Sequence, residues 1–425
     1  MAEVETKVIK GGRLIDGTGA GPIENATVII EGSKIKAVGR EVEIPKGAKV
    51  TDATGKTIMP GLIDAHIHHM GINSDAMHVE GVVQPRELGL IKSVFDSKDL
   101  LAAGFTSVKD CGGMNGVFLK KAVAEGILTG LPRIVAAGYP LTQTYGHADT
   151  HYFPPECVDA RTSRHAGRQG NMSLLCDGVD ECIKATRYAL RQGADFIKVM
   201  VTGGVMSQRD KPTDIQFNLD EIKAIVQTAA QVDKFVTAHC QNSRGAKNSI
   251  LGGVKTIDHA NEVNDEVVEM ANENNVIFVS SLAVMRAMID CGAEVGMAPW
   301  VIEKAKGQWD LMCESYGRIR KAGAILAVGS DFLGTPTLKF GKNALELELL
   351  VKYCGFTPME AIVAATRNGA MASFIEDKTG TIEPGKFADI IIIDGNPLAD
   401  IKIPQQVDRI KMVMLEGKVE INRGL

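Results

Sequence analysis

Short β-branched runs alternate with helical patterns through the centre of the chain. Segments between these runs, such as 219–233, keep apolar residues at helical spacing (Ile222, Ile225, Val226 and Ala229). Eight runs are predicted to be strands: 62–68, 105–110, 133–138, 195–201, 235–239, 256–260, 276–281 and 325–331. Eight strand–helix units predict an α/β fold, a (β/α)8 TIM barrel, whose active site is expected at the carboxyl ends of the strands.

The two chain ends have a different sequence pattern. Short β-rich runs separated by turn signals fill residues 7–57, and the same pattern of short strands and turns returns near the C-terminus. The simplest arrangement pairs both ends in one small β-sandwich-like domain. We therefore predict that residues 1–59 and 379–425 form the two parts of that domain, and that residues 60–378 form the barrel inserted between them.

Composition narrows the class of partner. The chain has 425 residues, and its 47 basic and 52 acidic side chains nearly balance. This balance leaves no electrostatic footprint for nucleic acid or an anionic membrane, so a small-molecule or short-peptide partner is favoured.

The eight cysteines are scattered without framework spacing, and the N-terminus lacks an apolar signal segment. No apolar run approaches the roughly 18 residues of a membrane span. We expect a soluble, cytoplasmic protein with reduced thiols.

The motif PGLIDAHIHH at residues 60–69 is the first candidate for chemistry. His66 and His68 are two residues apart on a predicted strand, so they lie on the same face. Neutral imidazole nitrogens in that arrangement suit a borderline-soft divalent metal such as Zn²⁺. The alternative is that a histidine-rich strand end is simply polar surface.

Further ligand-type side chains lie at or near the ends of later strands. They are Lys198, His239, His259 and Asp331 on the fourth, fifth, sixth and eighth strands. Lys198 interrupts an apolar run and could be an ion-pair partner, a Schiff-base amine or a carboxylated metal bridge. Two nearby divalent cations would repel an ammonium, and a Schiff base would make the metal ligands superfluous. An anionic carbamate formed with CO₂ fits best.

These residues make the chain resemble the metal-dependent amidohydrolase superfamily, in its binuclear branch with a carboxylated lysine. Within it, the chain looks most like the group of Xaa-Pro and Xaa-Arg dipeptidases and ochratoxin-type carboxypeptidases. The segments FIKVMVTGGVMS (196–207) and TSVKDCGG (106–113) carry that likeness, together with the spacing from His239 to His259.

The resemblance implies two divalent metal ions bridged by a CO₂-derived carbamate and a hydroxide that attacks the substrate. Zinc is the default, although manganese, cobalt or iron could occupy the same site. Asp331 would pass the hydroxide proton to the leaving nitrogen, or act as a metal ligand only. The resemblance also implies a homo-oligomer. The implied ligands are His66, His68 and Asp331 at the buried metal, His239 and His259 at the exposed one, and Lys198 as N6-carboxylysine between them.

The loop after the third strand, residues 140–178, is a candidate for substrate recognition. His147 resembles the family's third-strand histidine beside the substrate carbonyl, and we predict it to be substrate-binding; alternatively it only hydrogen-bonds the loop. The loop carries six basic or imidazole side chains: His147, His151, Arg161, Arg164, His165 and Arg168. Such a cluster can receive a carboxylate, or it can be a solvated surface or a subunit contact.

Two further positions follow His239. Dipeptidase-like relatives often carry a Tyr two residues on and an Arg eight residues on, which recognise a substrate carboxylate. This chain has Gln241 and Lys247 there, and we predict both to be substrate-binding. In the seventh loop, an apolar group forms either an adaptable wall for a large acyl or aromatic group, or a helix-packing or oligomer surface. Its members are Met285, Met288, Met297, Trp300 and Trp309.

The leading hypothesis is hydrolysis of an amide bond in an N-acyl amino acid or short peptide, in the manner of a carboxypeptidase or dipeptidase. The enzymatic alternative is hydrolysis of a cyclic amide, urea or carbamate on the same metal centre. The remote alternative is a structural relative that has lost catalysis, although such proteins usually lose ligands and all six are present here.

Overall fold

The computed structural model describes residues 5–151, 153–162 and 173–425. Within these residues the strands are β1 (Thr6–Leu14), β2 (Ile23–Glu31), β3 (Lys34–Gly39), β4 (Lys49–Asp52), β5 (Thr57–Pro60), β6 (Leu62–Ile67), β7 (Phe105–Asp110), β8 (Arg133–Ala136), β9 (Leu141–Thr142), β10 (Leu174–Leu175), β11 (Ile197–Met200), β12 (Val236–Cys240), β13 (Thr256–His259), β14 (Ile277–Val279), β15 (Leu326–Ala327), β16 (Ile390–Ile393), β17 (Ile410–Leu415) and β18 (Lys418–Asn422). Each of the eight predicted barrel runs coincides with one of these strands, within one residue at the end of β12.

Helices fill the intervals between the barrel strands. They are α1 (Met77–Val83), α2 (Arg86–Ala102), α3 (Asn115–Ala124), α4 (Pro155–Val158), α5 (Val179–Arg191), α6 (Leu219–Ala230), α7 (Ser243–Gly252), α8 (Asp265–Glu273), α9 (Leu282–Cys291), α10 (Pro299–Lys321), α11 (Leu345–Cys354), α12 (Pro358–Ala364) and α13 (Arg367–Ala372). Two short 3-10 helices, Ile403–Gln405 and Val407–Arg409, precede β17. Local sequence determines where α6 begins, because Asn218 and Glu221 form a reciprocal capping box at its N-terminus.

Strands from both chain ends join in one sheet. Its order is β18-β17-β16-β5-β1-β2-β3, with β4 paired in parallel to β1. The link between the two ends is the antiparallel pair of β5 and β16, in which Pro60 faces Ile390. One apolar core, including Ile9, Val28 and Ile392, packs against this sheet. We propose that residues 1–59 and 379–425 form the smaller domain predicted from the sequence.

Parallel strands close the barrel. β6, β7 and β8 pair in succession, as do β11 to β15, while β9 pairs with β11 beyond the end of β8. The Asp195 N–H donates to the Ala136 carbonyl at 2.8 Å and joins the third and fourth strands. The Ala65 N–H donates to the Val328 carbonyl at 2.8 Å and joins the eighth strand to the first. The carboxyl ends of all eight strands therefore meet at one mouth.

Two expectations about the chain as a whole concern membranes and thiols. Among the described residues, no helix combines the length and apolar character needed to cross a bilayer. All eight cysteines are free thiols, and five of them are buried.

Candidate metal centre

Three side chains converge at the end of the first and eighth barrel strands. The Nε2 atoms of His66 and His68 are 3.3 Å apart. Asp331 Oδ1 lies 3.4 Å from His66 Nε2 and 3.3 Å from His68 Nε2. The strand alternation that places both imidazoles on one face is thus realised in the folded chain. Asp331 follows β15 with a φ of 58°, a left-handed conformation that is uncommon for a residue with a side chain and recurs at functional sites.

Two more imidazoles extend this cluster. The ring of His259 lies 4.7 Å from that of His66 and 4.5 Å from that of His239, centroid to centroid. Each has a second partner that fixes its orientation: His259 Nδ1 is 2.9 Å from Ser281 Oγ, and His239 Nε2 is 3.3 Å from the Gly203 carbonyl. Both histidines are 3% exposed. Hydrogen-bonded second partners of this kind commonly orient metal-binding imidazoles.

Lys198 lies beneath the histidines and is 1% exposed. Its ammonium pairs with Asp258, a residue that the sequence prediction missed. Asp258 Oδ2 is also 3.0 Å from His66 Nδ1, and Asp258 Oδ1 is 3.7 Å from Lys109 Nζ. The available signal was a charged residue inside the strand TIDH, comparable to Lys198 inside IKVM and Lys109 inside FTSVKD. Asp258 thus links the lysine to a first-strand histidine.

Proton affinities in the cluster favour metal binding at neutral pH. Burial and the nearby Lys198 lower the pKa of His66 to about 4, and burial also holds the pKa values of His239 and His259 well below the usual range. Burial opposes ionisation of Asp331, but the surrounding histidines outweigh it and keep the pKa of its carboxyl low. Three imidazoles are therefore neutral and the carboxylate is charged, the protonation states that a divalent cation needs. His68 differs, because the hydrogen bond and charge of Asp331 outweigh burial and raise its pKa.

The donor spacing tests whether these residues fit such a cation. Tetrahedral ligands about 2.0–2.1 Å from Zn²⁺ stand roughly 3.3 Å from one another. The observed separations among His66, His68 and Asp331 are 3.3 to 3.4 Å. All three donor atoms lie within 4.8 Å of one another. The donor set of imidazole nitrogen and carboxylate oxygen also suits zinc or a related transition metal, so the residues present fit the predicted group.

Comparison with known proteins identifies the family. The sequence profile described as "Amidohydrolase family" matches residues 57–419. The chain belongs to this family. It is 33% identical to ochratoxinase from Aspergillus niger, across 100% of this chain and 88% of that protein. The A. niger ochratoxinase crystal structure superposes with a TM-score of 0.89 at 31% identity, covering 100% of this chain and 97% of the other.

Two further solved structures resemble this amidohydrolase over their whole length. A prolidase complexed with N-methylphosphonate-L-proline has a TM-score of 0.88 at 31% identity, covering 99% of this chain and 100% of that one. A Xaa-Pro dipeptidase with bound methionine has a TM-score of 0.84 at 28% identity, covering 98% and 99%. The architecture is therefore a TIM barrel with a terminal sheet domain, as predicted, and the protein is a hydrolase that acts on carbon–nitrogen bonds.

A pocket of about 1440 Å³, including its open mouth, leads to the five clustered histidine and aspartate side chains and to Lys198 in this amidohydrolase. Its walls are mostly apolar: Met70, Ile72, Phe153, Met200, Val205, Met206, Val284, Met285, Met288 and Leu333. Of the predicted seventh-loop wall, Met285 and Met288 line the pocket. Met297, Trp300 and Trp309 instead pack against the barrel core, which corresponds to the helix-packing alternative.

His147 and Gln241 also line the pocket. The His147 ring stacks on that of His239, with centroids 4.1 Å apart and planes 20° apart. His147 Nδ1 lies 2.7 Å from Ser207 Oγ, so the imidazole is held against the ligand cluster. Gln241 follows His239 by two residues and is 3% exposed. The structure therefore places both predicted residues in the pocket that contains the histidine cluster.

Lys247 differs from the prediction. It lies on α7, where its Nζ forms an ion pair with Glu266 Oε1 at 2.5 Å and its side chain is 44% exposed. This position, eight residues beyond His239, belongs to the outer ring of helices, where the ammonium is solvated. Lys247 is not among the residues lining the pocket. The chain carries a cation at that position, but the cation does not line the pocket.

The long third loop gives a mixed result. His151 lines the pocket and stacks on Tyr145, with ring centroids 5.3 Å apart. Arg161 instead pairs with Asp159 at 2.9 Å. Arg164, His165 and Arg168 lie outside the described residues. The loop thus contributes imidazoles to the pocket wall, while its described arginine serves the loop itself.

Proposed function

We propose that this protein is a binuclear metal-dependent amidohydrolase that cleaves the amide bond of an N-acyl amino acid or short peptide, releasing a C-terminal residue. The observation that carries the proposal is the convergence of His66, His68 and Asp331 at metal-ligand spacing on the floor of a methionine-rich pocket. The amide-cleaving class is supported by the similarity to ochratoxinase and to a prolidase.

In this proposal the first-strand pair and Asp331 would hold one metal, and His239 and His259 would hold the other. Two bound metals supply an activated water at neutral pH and polarise the scissile carbonyl. Lys198, once carboxylated by CO₂ on Nζ, would provide an anionic oxygen ligand to the metal centre. Zinc is the default metal for this set of nitrogen and oxygen ligands. The donor chemistry of all six side chains agrees with this assignment.

The chain's own residues perform the remaining tasks. Asp331, whose pKa is held low by the neighbouring histidines, accepts the proton of the attacking water on its carboxylate and delivers it to the leaving nitrogen. His147, stacked against His239 and held by Ser207, is placed to donate a hydrogen bond to the substrate carbonyl oxygen. Together these groups serve nucleophile formation, carbonyl polarisation and leaving-group protonation.

The side chains that line the pocket indicate which groups a substrate carries. Met206, Met285 and Met288 offer flexible, polarisable side chains that adapt to a bulky apolar acyl group. His151 supplies the polar contrast: both of its ring nitrogens are buried without a hydrogen-bond partner among the described residues. We assign it to the substrate carboxylate in place of Lys247, because an imidazole N–H can donate to an anionic oxygen.

Metal analysis tests the centre. Protein expressed with zinc and bicarbonate is expected to contain about two metals per chain, and Lys198→Ala about one or fewer, because the bridging anion is lost. Lys306→Ala, at an exposed lysine on α10, is the matched control and retains two. Equal metal content in Lys198→Ala and wild type would refute the carbamate bridge.

A substrate panel then tests the reaction. The metal-replete enzyme is expected to hydrolyse N-acyl amino acids with large apolar acyl groups. Turnover of a hydantoin or an aryl urea without any activity on N-acyl amino acids or dipeptides would instead establish the cyclic-amide and urea alternative. A metal-free protein with no activity on any panel member would support the non-catalytic alternative.

The proposal also includes a cytoplasmic, homo-oligomeric protein. Eight free thiols support a reducing compartment. α2 exposes Leu88, Ile91 and Phe95 along one side, 45%, 56% and 63% exposed, and such a stripe is suited to burial against a second copy. Light scattering that returned the mass of one chain, 45.5 kDa, would refute the oligomer.

A further inference from the structure

His259 and the residue before it face the same way, which a regular strand does not allow. Asp258 Oδ2 lies 3.0 Å from His66 Nδ1, and the His259 ring centroid lies 4.7 Å from that of His66. Successive side chains of a β-strand point to opposite faces, so one of the two must leave the regular pattern. His259 has a φ of 73° and Ala260 a φ of 43°. The left-handed turn at the end of β13 therefore brings the His259 imidazole to the cluster.

These two backbone conformations are unfavourable for residues that carry a side chain. Left-handed residues other than glycine persist only where the surrounding structure holds them. If His259 returned to the extended region, its imidazole would point away from His66 and from the neighbouring ring of His239. The fold must therefore supply contacts that keep both turned peptide units in place.

Those contacts come from two consecutive hydroxyls on α10. Tyr316 Oη donates to the His259 carbonyl at 2.5 Å. Ser315 Oγ donates to the Ala260 carbonyl at 2.7 Å. Tyr316 Oη also accepts the main-chain N–H of Ser281 at 3.0 Å, and Ser281 Oγ lies 2.9 Å from His259 Nδ1. All three hydroxyl-bearing residues are fully buried, so water does not compete for these hydrogen bonds. One phenol oxygen thus fixes both the main chain of His259 and the serine that contacts its imidazole.

We propose that Tyr316, assisted by Ser315, is a positioning residue that holds His259 in this conformation and thereby strengthens the metal site to which His259 belongs. The inference rests on the proposed binuclear centre and adds two residues of an outer helix to it. Among the described residues, neither hydroxyl bonds to the side chains assigned to the other metal, which are His66, His68 and Asp331. Loss of the Tyr316 hydroxyl should therefore weaken one metal site and leave the other unchanged.

Metal titration of Tyr316→Phe tests the inference, because this change removes one oxygen atom and keeps the ring. The apoprotein is titrated with Co²⁺ in bicarbonate buffer, and the visible absorption of the bound ion resolves the two binding steps. His259→Ala identifies the step to which His259 contributes. Losing an orienting partner typically weakens metal binding about 10- to 100-fold, so that step is expected to weaken at least about 10-fold in Tyr316→Phe. The other step is expected to keep its wild-type affinity.

Controls separate the possible failures. Tyr353→Phe makes the same replacement on α11, where the residue is 39% exposed, and is expected to titrate as wild type. Circular dichroism verifies folding. Ser315→Ala is expected to weaken the same step, and it decides the question if Tyr316→Phe does not fold. Unchanged binding in the folded variants, or equal weakening of both steps, would overturn the inference alone. A wild-type apoprotein that bound fewer than two Co²⁺ ions would overturn it together with the proposed binuclear centre.

Discussion

Lys304 holds one wall of the pocket in place from a distant helix. It lies on α10, and its Nζ donates to the main-chain carbonyls of Gly204, Ser207 and Asp210 at 3.1, 2.7 and 2.6 Å. The clamped loop follows β11 and supplies Ser207, which orients His147. Lys304→Met keeps the apolar stem and deletes the ammonium, so the perturbation removes the clamp without touching a metal ligand.

The magnitude follows from these three contacts. A hydrogen bond from a charged donor contributes about 1.5–3 kcal/mol when buried, and Lys304 is only partly buried, so we take about 1 kcal/mol each and about 3 kcal/mol in total. If half of that becomes the cost of ordering the loop when substrate binds, KM rises about tenfold. The turnover number is expected to fall less, because the proposed metal ligands stay in place.

The assay compares KM, kcat and metal content of Lys304→Met with those of wild type on the preferred N-acyl amino acid. Lys306→Met, two residues along the same helix and exposed, is the matched control and is expected to behave as wild type. A KM within twofold of wild type in Lys304→Met would refute the clamp, and loss of metal would show that the side chain supports the centre itself.

Two further predictions concern Glu346 and His151. Burial raises the Glu346 pKa to about 7, so its protonated form favours the folded state below pH 4.5 and that contribution is lost as pH rises through 7. The free energy of unfolding of Glu346→Gln, measured in urea, should therefore rise relative to that of wild type by up to about 3 kcal/mol as pH increases from 4.5 to 7.5. A difference between the two proteins that does not change with pH would contradict this. His151→Phe keeps the stack on Tyr145 and should raise KM about fivefold for a free acid but not for its primary amide; equal effects on both would exclude carboxylate recognition.

The sequence by itself determined the barrel and the residues at its mouth. Strand alternation is local, so it places His66 and His68 on one face whatever surrounds them. Eight strand–helix units leave one closed parallel arrangement, whose carboxyl ends then gather His239, His259 and Asp331. The terminal sheet was likewise indicated by the pattern of short strands and turns at both chain ends.

Tertiary structure alone decided which polar groups surround that mouth. Asp258 joins Lys198, Lys109 and His66 because the closed barrel brings together side chains from four strands that are distant in sequence. Lys247 turns outward because helix rotation, rather than its spacing from His239, sets its direction. Local periodicity fixes the face of a strand, but the contacts of long loops and of neighbouring barrel strands are non-local, and only the folded chain brings them together.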